Sequence, residues 1–232
     1  MRFILAAALA LTPLLAADKE SSKRLDESAA VFSEIMETPD KGIPQQMLEN
    51  ENAHCIIIVP ALKTAAFLVG AKYGKGYLSC RNKGAEGWSA PATIRIEGGS
   101  VGFQIGSSET DLIMLAMNAR GADKLLSSKF TLCVDGSIAA GAAGRTATAQ
   151  TDAQMHAEIL SWSRSQGIFA GVELEGATRR QDADSNAALY GKTIDNREIV
   201  TSGVAVPEAA EKLLGLLNRY SWHERKEITE QQ

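Results

Sequence analysis

The sequence predicts an α+β fold, in which an antiparallel, strongly twisted sheet or barrel-like sandwich is flanked by N- and C-terminal helices. Apolar residues recur at helical spacing near both ends of the chain, and short apolar runs with glycine-rich connections lie between them. Connections this short favour antiparallel pairing, because parallel strands need long crossovers. A chain of 232 residues suffices for one sizeable core.

The N-terminus is typical of a secretory signal peptide over residues 1–17. Arg2 precedes an apolar stretch that extends to Leu15, and Leu15-Ala16-Ala17 forms a plausible cleavage site before Asp18. The stretch is shorter than the roughly 20 residues that span a bilayer. We therefore expect an exported protein, periplasmic or secreted, that is peripherally associated with a membrane. An uncleaved N-terminal anchor is the alternative.

An amphipathic helix is predicted over residues 19–38. Its apolar stripe includes Leu25, Phe32 and Ile35, while Lys23 and Arg24 lie on other faces. Such a stripe packs against a core in most proteins, but it also suits insertion into a bilayer interface. A short helix is expected from Pro44 to about residue 50.

Strand signals dominate the next third of the chain. The apolar run from Cys55 to Val59, followed by Pro60, predicts a strand buried on both faces. We expect further strands over residues 66–73, 77–81, 92–97, 100–105 and 111–117. The pairs Lys75-Gly76 and Gly98-Gly99 suit tight connections between them.

The rest of the chain alternates helices and strands within one domain, which we place at residues 18–222. We expect a helix at 120–127, a strand at 130–134, a strand or mobile loop at 138–149, and a hairpin over 156–175. Asp182 or Asp184 could cap a short helix ending at Tyr190-Gly191. A last amphipathic helix covers 207–220, and residues 223–232 form a polar tail.

Composition and charge exclude several classes of protein. With 45% hydrophobic and 22% charged residues, the chain is predicted to fold. A net charge of -4 argues against nucleic acid as a partner.

Cysteine and histidine spacing bears on redox state and metal binding. Among the three cysteines, Cys55 and Cys80 are the first pair to test for a disulfide, and buried thiols are the alternative. No C-x-x-C motif is present and the histidines are dispersed. We therefore predict no metal site and no cofactor.

Residues 98–102 match G-x-S-x-G, the motif that places a nucleophilic serine in some hydrolases. That chemistry needs a strand–turn–helix, whereas the residues after Ser100 alternate in polarity like a strand. We therefore predict a protein that is not an enzyme and has no catalytic residues. A serine hydrolase using Ser100 remains an alternative.

Basic residues are concentrated in the strand-rich region and interleaved with aromatic ones. They are Lys63, Lys72, Lys75, Arg81, Lys83 and Arg95. Each cation near an anionic membrane contributes about 1 kcal/mol of attraction, so several on one face would bind a bilayer weakly. Solvated charges that protect strand edges from aggregation are the alternative.

Ordered blocks over roughly residues 20–195 resemble the SYLF-domain family of lipid-binding proteins. The blocks lie at residues 38–44, 53–60, 70–81, 87–91, 97–106, 125–130, 163–171 and 189–191. The resemblance implies non-enzymatic binding of anionic phospholipids, with an N-terminal amphipathic helix and basic residues involved. In eukaryotic members the ligands are phosphoinositides, and yeast actin-patch relatives also bind actin filaments.

The resemblance assigns lipid binding to the first helix and to the basic residues of the 70–81 block, and we add neighbouring cations of the strand-rich region. The predicted lipid-binding residues are Lys72, Lys75, Arg81, Lys63, Arg95, Lys23, Arg24 and Phe32. The signal peptide indicates an exported bacterial branch. We therefore expect phosphatidic acid, phosphatidylglycerol, cardiolipin or phosphoinositide-like head groups, do not expect actin, and leave a protein partner unspecified. A cell-envelope protein-interaction module is a further alternative.

Overall fold

The computed structural model describes residues 12–38, 42–48, 53–82, 87–132, 138–140, 157–165, 168–169, 174 and 176–221. Its α-helices are α1 (Thr12–Glu37), α2 (Ala119–Leu126), α3 (Ala183–Tyr190), α4 (Asn196–Thr201) and α5 (Glu211–Ser221). Its strands are β1 (Cys55–Cys80), β2 (Ala92–Ala116), β3 (Lys129–Thr131), β4 (Ile138–Ala140), β5 (Ile159–Ser165), β6 (Ile168–Phe169) and β7 (Ala177–Gln181). Short 3-10 helices cover Gln45–Leu48 and Glu208–Ala210.

Two long strands form the centre of the sheet. β1 and β2 pair antiparallel from Cys55 opposite Ala116 to Leu78 opposite Ala92. β7 and β5 pair with opposite ends of β2, which gives the order β3-β7-β2-β5-β4, and β6 pairs with β5. All pairs are antiparallel except β4 with β5. The predicted α+β class with a twisted, barrel-like sheet is confirmed.

β1 curls until its two ends meet. The Cα atoms of Cys55 and Cys80 lie 3.9 Å apart, and the two residues form the disulfide that the sequence left open. A Cβ placed on Gly76 would lie 2.1 Å from the carbonyl oxygen of Ile58, so only glycine permits this approach.

The predicted breaks between strands are wrong. Lys75-Gly76 and Gly98-Gly99 lie inside β1 and β2, and β1 continues through Pro60 with a register irregularity between Val59 and Leu62. A Cβ on Gly98 would lie 2.7 Å from the Cα of Ala177. These glycines at 76 and 98 therefore serve close backbone packing instead of turns.

α2 and α4 pack on one face of the curled sheet, and α1 and α5 cover the other. Leu25, Phe32 and Ile35 of α1 are buried there beside Ile56 and Ile58 of β1, and α5 contributes its own leucines. The hydroxyl of Tyr77 donates to the carbonyl oxygen of Ser21 at 2.7 Å. The apolar stripe of α1 is therefore part of the core.

Several other predictions are confirmed. α2 occupies the expected segment, and α3 is capped by Asp182 and followed by Gly191 at a φ of 68°. β5 and β6 form the predicted hairpin, although β6 is short. The final helix begins with a 3-10 turn at Glu208. β7 and α4 were not predicted.

Other expectations fall outside the described residues. These are residues 1–11 of the signal peptide, residues 39–41 after the first helix, Cys133, residues 141–149 and the polar tail at 223–232. Within the part of the chain that the structure describes, none of the helices has the length and apolar character needed to cross a membrane.

Candidate functional site: a row of cations across four strands

Four basic residues lie side by side across β1, β2, β7 and β3. Lys75 is opposite Arg95, Arg95 is opposite Arg180, and Arg180 is opposite Lys129. Residues directly opposite each other in a sheet project from the same face. We call these four residues the basic row; at the usual strand spacing it extends over about 14 Å.

Ion pairs neutralise only part of the basic row. Glu97 contacts Arg95 Nε at 3.3 Å through Oε2 and contacts Arg180 through Oε1. Lys75 pairs with Asp182, while Lys129 is exposed and forms no ion pair with any described residue. Among the described residues, four cations and two carboxylates leave two positive charges in excess.

Like charges at directly opposite positions destabilise a sheet. The basic row contains three such pairs of opposite cations in succession. The side chains of Arg95 and Arg180 are 35% and 38% exposed, so their charged groups can be reached from solvent. Packing alone does not favour this arrangement. It is a surface suited to an external anion.

The end of the basic row at Lys75 is held in place by α3. Lys75 Nζ lies 2.9 Å from Asp182 Oδ2 and 3.2 Å from Ser185 Oγ. Although burial raises the pKa of Asp182, the hydrogen bonds from Lys75 and Ser185 outweigh it and hold this pKa below its ordinary value. The carboxylate therefore stays charged at neutral pH and fixes the lysine.

The basic row lies at the boundary between covered and open sheet. Tyr77 follows Lys75 by two residues in β1 and is buried under α1. Tyr73 precedes Lys75 by two residues and is 48% exposed. Tyr73 shares its row with Glu97, Thr178 and Thr131. The exposed face thus combines cations with hydroxyl groups, both of which bind phosphate oxygens.

Lys75 and Arg95 are the predicted lipid-binding residues that belong to the basic row. Lys72 lies on the opposite face of β1 and is only 6% exposed. Lys63 is exposed but lies farther along β1, where it pairs with Glu109 at 3.4 Å. The cluster expected from sequence order is therefore distributed over both faces of the strand.

Arg81 is held at the end of β1. Its guanidinium donates to the carbonyl oxygens of Leu48 and Ala53 and to Ser221 Oγ, and it lies over the ring of Trp88 at 4.2 Å. Burial lowers the pKa of Arg81 to about 10. It joins the segment before β1 to the last residue of α5, away from the basic row.

The predicted residues of α1 have partners within the protein. Lys23 pairs with Glu27 and Arg24 pairs with Glu20, each one helical turn away. Phe32 is fully buried, with its ring edge-on to Tyr220 at 5.7 Å. A contact between Phe32 and a bilayer would require α1 to leave the sheet.

Ser100 lies within β2, where it is paired with Gly70 of β1. The G-x-S-x-G residues are thus part of a continuous strand. A nucleophile elbow requires a turn into a helix directly after the serine. This backbone does not provide the geometry of that hydrolase motif.

Arg180 and Lys129 were not among the binding residues predicted from the sequence. Both belong to short strands with polar side chains, and Thr178-Arg179-Arg180-Gln181 has no apolar alternation. Only the pairing of β7 with β2 brings Arg180 beside Arg95. The presence of Thr178 was a weak strand signal.

The fold and the basic row define an α+β domain whose sheet presents a cationic face, a class of protein suited to binding. Comparison with known families gives a match over residues 97–220 to the family described as "Ysc84: Las17-binding protein actin regulator". The chain belongs to this family, the SYLF-domain family, as its sequence blocks indicated.

Relatives span fungi and vertebrates. Protein YSC84 of Saccharomyces cerevisiae is 33% identical over 77% of this chain and 38% of its own length. An SH3 domain-containing protein of Schizosaccharomyces pombe is 33% identical over 89% of this chain and 48% of its own. The SH3 domain-containing YSC84-like protein 1 of Xenopus laevis is 30% identical over 92% and 62%. The chain spans about half the length of these relatives, two of which are named as SH3 domain-containing proteins.

Proposed function

We propose that this protein binds anionic phospholipid surfaces without catalysing a reaction, and that the basic row is its contact surface. The observation that carries the proposal is the succession of like charges from Lys75 to Lys129 on an exposed sheet face. Such an arrangement costs stability in the free protein and becomes favourable against phosphate groups. The protein acts as an exported, peripheral membrane protein.

The physical basis of the proposed binding is local electrostatics. The whole chain has a net charge of -4, so long-range attraction to an anionic bilayer is weak. At physiological salt, charges are screened beyond about 8 Å, and the phosphates therefore interact with the basic row more than with distant carboxylates. Arg95 and Arg180 can also present paired N–H donors to phosphate oxygens.

Flotation with vesicles tests the proposal. We expect the chain from Asp18 onward to bind vesicles containing phosphatidylglycerol, phosphatidic acid or cardiolipin, and not pure phosphatidylcholine. The double variant Arg180→Glu/Lys129→Glu should reduce partitioning by about tenfold or more, because each lost cation contributes about 1 kcal/mol.

The matched control is Arg120→Glu/Lys192→Glu. Both residues are exposed, neither belongs to the basic row, and the change in net charge is identical. Equal binding by the two double variants would contradict the basic row as the contact surface. Equal binding to neutral and anionic vesicles would contradict the proposed function itself.

A protein partner is the second candidate function. The family description names Las17 binding and actin regulation, which favours it. Sedimentation of the chain with actin filaments in the absence of lipid, abolished by Arg180→Glu/Lys129→Glu, would select this alternative.

A further inference from the structure

The middle of the β1–β2 pair extends beyond the other strands that the structure describes. β7 pairs with β2 only as far as Gly98, and β5 pairs with β2 only from Asp111 onward. Between these positions, β1 is the one strand among the described residues that pairs with β2. We call this two-stranded part, residues 64–71 of β1 and 99–108 of β2, the ribbon apex.

The curl of β1 places the ribbon apex at the far end of a loop. The backbones of Ile58 and Gly76 come close together, and Phe67 lies midway between them along β1. The pairing with β2 is irregular between Phe67 and Val69. Such irregularities bend a strand. The ribbon therefore leaves the body of the sheet, turns near Phe67 and returns.

The ribbon apex is uncharged and rich in apolar residues. Neither of its two segments contains Asp, Glu, Lys or Arg, whereas 22% of the residues in the whole chain are charged. Its large apolar residues are Phe67, Leu68, Val69, Val101, Phe103 and Ile105. Charged residues ordinarily protect open strand edges from pairing with other chains. Their absence from the ribbon apex favours a partner that covers apolar residues.

Exposed residues connect the basic row to the ribbon apex. Tyr73 and Ala71 are exposed and alternate with buried residues in β1. Alternate residues of a strand share a face, so both belong to the face of Lys75 and the basic row. Val69 follows at the same spacing, opposite Val101 of β2. One face of the ribbon therefore changes from cations, through an exposed tyrosine, to aliphatic residues.

We propose that Tyr73 and the ribbon apex enter the interfacial region of the bilayer whose phosphates contact the basic row. This inference rests on the proposed function and adds an apolar contact to an electrostatic one. Tyrosine favours the level of the lipid head groups, where cations also gain from anionic lipid. The ribbon apex stays at this level, because the open edges of a two-stranded ribbon lack hydrogen-bond partners in hydrocarbon.

Ala71→Trp tests the apolar contact by a gain of binding. Ala71 is an exposed residue of the ribbon apex, and an added indole favours the bilayer interface. The matched control is Ala30→Trp, since Ala30 is an exposed alanine of α1. We expect Ala71→Trp to bind vesicles containing phosphatidylglycerol about fivefold tighter or more, and Ala30→Trp to bind them like the wild type.

Quenching by brominated phosphatidylglycerol locates the added indole. The wild type supplies the background from its three tryptophans. We expect the tryptophan fluorescence of Ala71→Trp to be quenched more than that of the wild type, because the new indole contacts lipid. Ala30→Trp should show no additional quenching.

Tyr73→Ser tests the same contact by a loss of binding. Tyr73 and Val206 are the exposed large hydrophobic residues in the described part of the chain, so Val206→Ser is the matched control. We expect Tyr73→Ser to weaken vesicle binding about fivefold or more and Val206→Ser to leave it unchanged. Salt does not screen an apolar contact, so the loss should persist at high salt, whereas the effect of Arg180→Glu/Lys129→Glu should diminish.

The outcomes separate this inference from the proposed function. Equal binding by Ala71→Trp and Ala30→Trp would overturn the inference alone if Arg180→Glu/Lys129→Glu still weakens binding. Failure of the wild type to bind any anionic vesicle would overturn both. A dimer that sedimentation detects without lipid, and that Tyr73→Ser disrupts, would assign the ribbon apex to a second copy of the chain and also overturn the inference.

Discussion

Lys75 of β1 contacts Asp182 across 2.9 Å, and the same carboxylate caps the N-terminus of α3. Asp182 also accepts a hydrogen bond from Ser185 Oγ at 2.8 Å. One buried carboxylate therefore couples the position of the basic row to the helix beside it. The pKa of Asp182 is below its ordinary value of 3.8, so this coupling depends on pH.

Asp182→Asn should lower the free energy of unfolding by about 1–2 kcal/mol at neutral pH, since the ion pair with Lys75 is lost while asparagine can still cap α3. In the wild type this stabilisation is present above the unfolded-state pKa of 3.8 and is lost as pH falls through the lower folded-state value. Urea unfolding across acidic pH should show the two proteins converging. A constant difference down to about pH 2 would contradict the role given to Asp182.

Glu97→Gln should strengthen binding to anionic vesicles. Glu97 is the carboxylate shared by Arg95 and Arg180, and its neutralisation adds one positive charge to the exposed face. We expect about fivefold tighter partitioning, because one charge near the membrane contributes about 1 kcal/mol. Flotation at two salt concentrations measures the partitioning. Glu211→Gln in α5 is the control, because it changes the net charge by the same amount. A gain equal to that of the control would contradict a local effect.

Gly76→Ala should destabilise the protein by about 3 kcal/mol or more. The added methyl group would meet the carbonyl oxygen of Ile58 at 2.1 Å, where the two halves of β1 cross. Gly215→Ala in α5 is the opposite case, since nothing lies within 4 Å of its Cβ. That variant should be more stable by about 1 kcal/mol, because alanine favours helix. Denaturant midpoints compare the two variants. Similar effects of both substitutions would contradict the close approach of Gly76 to Ile58.

Removing the disulfide should lower stability by about 3 kcal/mol, since the bond closes a loop between residues separated by 25 positions. The variant Cys55→Ala/Cys80→Ala tests this by thermal unfolding. Dithiothreitol should lower the melting temperature of the wild type and leave that of the variant unchanged. A reductant effect of the same size in both proteins would assign it to a different cysteine.

Local patterns were enough to predict the helices that have strong periodicity or caps. The stripe through Leu25 and Phe32 predicted α1, and Asp182 or Asp184 with Gly191 marked the two ends of α3. Strand existence was also predictable from apolar runs such as Cys55 to Val59. The strand ends were not, because Gly76 and Gly98 have the same appearance in a sequence whether they form turns or accommodate a neighbouring backbone.

Two of the four residues of the basic row could be predicted from the sequence. Lys75 and Arg95 were selected from their density of charge, while Lys72 was selected on the same grounds and lies in the interior. Burial of a strand residue depends on which face the rest of the protein covers, and alternation alone does not specify it. Arg180 and Lys129 joined the site through pairing of β7 and β3, which are far from β1 in the chain.

The sequence by itself determined the α+β class, the amphipathic helices, the family and the presence of basic residues among the strands. Tertiary structure alone decided that β1 closes on itself through Cys55 and Cys80 and that four cations align across four strands. Periodicity and capping act between residues a few positions apart, so a sequence displays them directly. The alignment of the four cations depends on the register between distant strands. That register is set by packing of the whole sheet, so no single segment of the sequence specifies it.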